Sequence, residues 1–148
     1  MLASSTPQPL SREEEENQRL AHLLQQQFQN LEDYCNCQTR LQNSFVEEDR
    51  SVQVSSIRVC MDQLEQALRS IQTDFQTLKM TNLRNHRRME VLLDHINLSE
   101  RVLLTVFENG AMLHANGIPA AKDNIAIKTV ALSSLRASIT RVQRKLGK

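Results

Sequence analysis

Cys35 and Cys37, with His22 upstream, are the donor types of a zinc site. Their spacing argues against one. A C-x-C step inside a helix directs the two thiols about 200° apart around the axis. Structural zinc asks for four ligands at loop or hairpin spacings such as C-x2-C. Cys35 is therefore expected to pack as a small apolar side chain, and neither a metal nor another cofactor is expected. Cys60 completes an odd set of three cysteines with no framework spacing. The histidines His22, His86, His95 and His114 lie far apart, and no Ser, Cys or acidic residue stands in a nucleophile context. There is no Gly-rich phosphate loop. No nucleophile–base–orienter set is predicted, and the chain reads as a non-enzyme.

Basic residues offer a second chemistry. Arg84, Arg87 and Arg88 form one cluster, and Arg136, Arg141, Arg144, Lys145 and Lys148 form another near the C-terminus. The last four recur at helical steps of three and four, so they share a face and are candidate phosphate contacts. Residues 1–50 hold 4 Lys/Arg against 9 Asp/Glu, whereas residues 110–148 hold 7 against 1. Opposite ends of the chain thus carry opposite charge and can attract each other within one molecule or between molecules. Aromatic platforms for stacking bases are scarce, because aromatics are only 3% of the chain.

What must position these residues is helical. Of the 148 residues, 40% are hydrophobic, with one Tyr and no Trp, which suits thin helix–helix seams of Leu, Val, Ile and Ala. Neither Gly nor Pro occurs between Leu10 and Asn109. A sheet protein needs turn residues about every ten positions, and Gly and Pro are the costly residues of helix interiors. The expected fold class is all-α: long coiled-coil helices, with a C-terminal helix packing back as a small bundle.

Five segments are expected. Residues 1–10 read as a flexible leader. Residues 11–50 read as an acidic N-terminal helix. Ser11-Arg12-Glu13-Glu14 fits a capping box, and Leu20, Leu24, Phe28, Leu31, Cys35, Leu41 and Phe45 form an apolar row. Gln38 interrupts that row as a stammer would. At residues 43–52 a continuous or merely kinked helix is favoured over a turn, since no Gly is present to make one.

Residues 51–109 read as one central heptad helix. Steps of three and four pick out Val54, Ile57, Met61, Leu64, Leu68, Ile71, Phe75, Leu78, Asn82, Asn85, Met89, Leu92, Ile96, Ser99, Leu103 and Val106. The apolar members are the expected oligomerisation seam. Asn82 and Asn85 are the expected register or specificity positions, because a buried Asn trades stability for register. Beyond Met89 the apolar face widens, through Val91, Leu98, Val102 and Phe107, beyond what a two-stranded coil can cover. Residues 110–119 read as a turn, on Asn109-Gly110 and Asn116-Gly117-Ile118-Pro119. Residues 120–148 read as a basic C-terminal helix that packs antiparallel on residues 89–107 through Leu132, Leu135, Ile139, Val142 and Leu146.

The functional expectation is a non-catalytic coiled-coil scaffold or adaptor subunit that mediates oligomerisation and protein–protein interaction in an intracellular complex. Its partner would be another protein or a second copy of itself. The alternative is a nucleic-acid-binding oligomer that uses the basic C-terminal helix. The N-terminus lacks a signal-peptide pattern. No apolar run approaches the roughly 20 residues a membrane span needs. A cytoplasmic or nuclear location is expected on those grounds.

Overall fold

The computed structural model describes residues 12–44, 50–81, 86–116 and 121–146. They form four α-helices and no strand: α1 (Arg12–Ser44), α2 (Arg50–Thr81), α3 (His86–Asn116) and α4 (Ala121–Leu146). The all-α expectation and a helical bundle hold. The expected capping box at Ser11 and the register residues Asn82 and Asn85 lie outside the described residues, as does Lys148.

Consecutive helices run antiparallel. Gln27 of α1 meets Gln72 of α2, and Cys37 meets Cys60. Gln72 then meets Ile96 and Ser99 of α3, and His95 meets Ser138 of α4. α4 closes the ring by returning to α1, where Lys128 reaches Thr39. α1 and α3 also touch across the diagonal, through Gln38 and the Val106 carbonyl. The result is an up-down-up-down four-helix bundle.

Two expectations of continuity are corrected here. Residues 51–109 are not one rod but two helices side by side. Gln72 and Ser99, 27 residues apart, are 2.9 Å from each other; on one straight helix they would be about 40 Å apart at 1.5 Å per residue. Likewise α1 and α2 are separate antiparallel helices, although no Gly marks residues 43–52. The physical reason is common to both. A heptad row records that a face is buried, and it stays in register whether the covering helix belongs to a neighbour chain or to the same chain folded back.

The seam residues accordingly fill the interior of their own bundle. Ile57, Met61, Leu68, Leu103 and Val106 join Leu31, Cys35, Leu41 and Leu135 in one apolar cluster, with Val54, Leu64, Leu132 and Ile139 against it. Ile71, Phe75, Leu78, Leu92 and Ile96 join Leu20, Leu24 and Val142 in a second cluster, with Ile139 and Leu146 against it. Met89 lies in the first turn of α3. The surface drawn as an interface for a second chain is thus the core of one chain. The bundle also runs the full length of the helices rather than only beyond Met89.

Gly110 is corrected as well. It does not stop a helix, because α3 continues to Asn116. It is buried, and a Cβ there would meet the Tyr34 hydroxyl and lie 3.3 Å from Met61 Cε. Tyr34 in turn sits edge-on to Phe107, with centroids 5.4 Å apart. The helical penalty of a glycine, about 1 kcal/mol, is thus offset by a close approach of α1 to α3 that no other residue permits.

Two outcomes test this packing. Leu68→Asp, which places a charge in a fully enclosed site, should abolish the cooperative far-UV circular dichroism transition; dispersal of an oligomer into intact helical chains would instead put the seam between molecules. Gly110→Ala should destabilise the bundle by about 1–3 kcal/mol in urea titration, as overpacking does. Tyr34→Phe in the same chain should recover much of that loss.

Candidate functional site

The two apolar clusters are separated by a layer of polar side chains, contributed by every helix. Gln27 comes from α1, Gln72 from α2, His95 and Ser99 from α3, and Ser138 from α4. His95, Gln27 and Ser99 are fully enclosed and Ser138 is 2% exposed. Gln27 Nε2 donates to Gln72 Oε1 at 2.7 Å. The Ser99 hydroxyl donates to the same Gln72 oxygen at 2.9 Å. That leaves Gln27 Oε1 as an acceptor, 2.8 Å from His95 Nε2. His95 Nε2 must therefore carry the proton, and Nδ1 accepts from the Ser138 hydroxyl at 2.7 Å.

Each helix delivers its group to the same level because each group occupies a core position on its own face. Gln27 is seven residues after Leu20 and four before Leu31. Ser138 is seven after Ala131 and four before Val142. Ser99 stands between Ile96 and Leu103 in the α3 row. The His95 ring also lies edge-on to Phe75, with centroids 5.2 Å apart. Packed between α1, α2 and α4, the imidazole is held neutral: burial, and to a lesser extent the positive charge of Arg141, push its pKa down from 6.5 to about 4.

A serine hydroxyl on an imidazole that is oriented by a side-chain carbonyl is the outline of a nucleophile, base and orienter. Here the enclosure decides the chemistry. A substrate atom has no approach to a hydroxyl and a ring this deeply buried, and a base with so low a pKa takes up a proton poorly near neutrality. What the layer does is physical. Every member is paired, so it costs little net stability. Any sliding of one helix against the next would strand buried donors and acceptors, at about 1–3 kcal/mol each.

The other residues singled out from the sequence are scattered. Cys35 is buried in the first cluster, with its thiol pushed up to about 12 by burial. Cys37, buried in the same cluster, meets Cys60, not His22, which sits some 20 Å down α1 by helical rise. Among the described residues no group of three or more His, Cys, Asp or Glu is placed to hold a metal. Arg136 lies 5.0 Å above the Phe28 ring, a cation–π contact between α4 and α1. Arg141, Arg144 and Lys145 are exposed on the last turns of α4.

Those cations share an end of the bundle with the acidic start of α1. Asn17, Leu20 and Ala21 line one groove together with Val142, Gln143 and Leu146. The charge asymmetry read from the sequence is therefore brought together within one molecule.

Sequence reasoning missed the polar layer. Ser99 was in view as a break in the heptad row, Gln38 as a stammer, and His95 as a lone histidine. In the structure Gln38 is buried and donates to the Val106 carbonyl at 3.1 Å. The available signal was the framing of Gln27, Ser99 and Ser138 by apolar residues one heptad before and one turn after; His95 and Gln72 lack it.

The depressed His95 pKa fixes a pH dependence. Because the unfolded chain takes up the proton first, the stability from a neutral buried His95 is complete above pH 6.5 and is lost as pH falls toward 4. The loss should reach about 3 kcal/mol, read as a falling urea midpoint. His95→Gln should flatten that part of the profile, and an unchanged slope would assign it to other groups. Among known proteins, no family model, curated protein or solved structure matches this chain.

Proposed function

We propose that this chain is a non-catalytic helical interaction subunit, which receives an amphipathic helix of a protein partner in the groove between α3 and α4. One observation carries the reading. The heptad rows are used up inside the bundle, yet an apolar channel of about 430 Å3 stays open on the outside, lined by Leu98, Val102, Ile127 and Val130. Val130 is 65% exposed. A large apolar side chain left that open beside other apolar residues is the usual mark of a docking surface.

Two parallel walls, from antiparallel α3 and α4, suit an occupant that is itself a helix, with anchors at steps of three and four. Arg101 is the charged residue of the lining. An acidic residue on the partner helix would complement it and set its register. The polar layer supports the same reading from inside: by fixing the relative heights of α3 and α4, it keeps the groove in one shape. This is an adaptor activity, in which binding is the output and no bond is made or broken.

The nucleic-acid alternative is weakened by the surroundings of α4. The acidic start of α1, with Glu14, Glu15 and Glu16, stands at the same end of the bundle as the last turns of α4, and would reduce the positive field that phosphates follow. No helix among the described residues is long and apolar enough to cross a membrane.

A photo-cross-linking residue placed at position 130 should capture one protein of defined mass in the cell of origin. The same residue at Gln29, on exposed α1, should not. Val130→Glu should weaken capture at a neighbouring reporter position by at least tenfold while leaving helicity unchanged. Identical adducts from positions 130 and 29, or adducts to nucleic acid or to a second copy of the chain, would overturn the proposal.

A further inference from the structure

Cys37 and Cys60 stand face to face across the α1–α2 pair, with their Sγ atoms 3.6 Å apart. They belong to different helices and are 23 positions apart in sequence, yet the antiparallel packing sets the thiols in van der Waals contact. No thiol is engaged in a disulfide. Cys35, two residues from Cys37, is buried in the same apolar cluster and is fully enclosed.

We infer that Cys37 and Cys60 form a dithiol modification site, which a low-molecular-weight disulfide of the glutathione type converts to an intramolecular disulfide joining α1 to α2. The inference is independent of the adaptor reading, because it concerns the opposite pair of helices from the α3–α4 groove.

The order of events follows from exposure. Cys60 is partly exposed and Cys37 is 4% exposed, so the external disulfide meets Cys60 first. The Cys60 thiol loses its proton to solvent, and its sulfur attacks one sulfur of the reagent. The reagent's S–S bond breaks, a mixed disulfide forms on Cys60, and one small thiol leaves. Cys37, already in contact, then gives up its proton and attacks Cys60 Sγ. The mixed disulfide breaks and the second small thiol leaves. Two protein thiols have lost two electrons and two protons; one reagent disulfide has gained them as two small thiols. Burial pushes the Cys37 thiol up to about 11, and the neighbouring Cys60 thiol adds to the shift. That makes the second step slow at neutral pH and faster as pH rises.

Geometry separates this pair from the third cysteine. A disulfide needs its sulfurs at about 2.05 Å, so closure from 3.6 Å asks for side-chain rotation and a small approach of the helices. Cys35 would have to turn about 200° around α1 to compete. The bond would close a loop containing the α1–α2 connection, and cross-linking a loop of this size restrains the unfolded chain.

The test uses the full chain, incubated with oxidised glutathione at pH 8.5, quenched with an alkylating reagent and digested. The expected product is a chain lighter by two hydrogens, a linked peptide pair containing Cys37 and Cys60, and Cys35 recovered as a free thiol. Cys35→Ala should give the same product. Cys60→Ser should abolish it, leaving Cys37 unmodified. The oxidised form should melt about 5–10 °C above the reduced form. A Cys60–glutathione adduct that persists, a Cys60–Cys60 link between two chains, or a disulfide through Cys35 would each overturn the assignment.

Discussion

A single buried imidazole ties this molecule together. His95 accepts from α4 on one ring nitrogen and donates to α1 on the other, while its neighbour Ser99 and the partner of Gln27, Gln72, bring in α2. The bonds depend on His95 being neutral. A charged ring in that enclosure would need solvation that neither apolar cluster can give. Burial is the main cause of its lowered pKa, with the positive charge of Arg141 adding to it.

The layer explains why a core of Leu, Ile and Val yields one structure. Apolar rows at heptad spacing slide past each other by a turn with little penalty, because a Leu meets another Leu. Five polar groups at one level remove that freedom. The aromatic shortage has the same consequence elsewhere: with few large rings, the chain uses Tyr34 and Phe107 as one edge-on pair and sets Phe75 against His95. Gly110 makes room for Tyr34, and Arg69 lies 5.0 Å over Phe107. Rigidity gained in this way is what the docking groove proposed on α3 and α4 would need, since a surface whose two walls shift in height cannot hold one helix in one register.

Much of the fold was legible because helix formation is local. The absence of Gly and Pro from residue 10 to 109, the heptad rows in α2, α3 and α4, and the short link before α4 all report on neighbours three and four positions away. The antiparallel seat of α4 on α3 followed from that link. Less of the site could be read. The second buried row of α1, with Leu23, Gln27, Tyr34, Cys37 and Gln38, was disguised by its two glutamines. Buried glutamines look like surface glutamines until their partners, on helices 45 and 68 positions away, are in place.

The sequence by itself determined that this chain is helical, where its apolar faces lie, and that its charges are split between its ends. Each of those is a property of one helix taken alone. Only the tertiary structure decided which face meets which. The 51–109 row, continuous in register, belongs to two helices, and the seam that could have served a second chain is filled by the first. Gly110 and the Cys37–Cys60 contact belong to the same level of decision. The physical reason is that periodicity fixes the direction of a side chain around its own axis. It carries no information about the identity of the surface that comes to cover it.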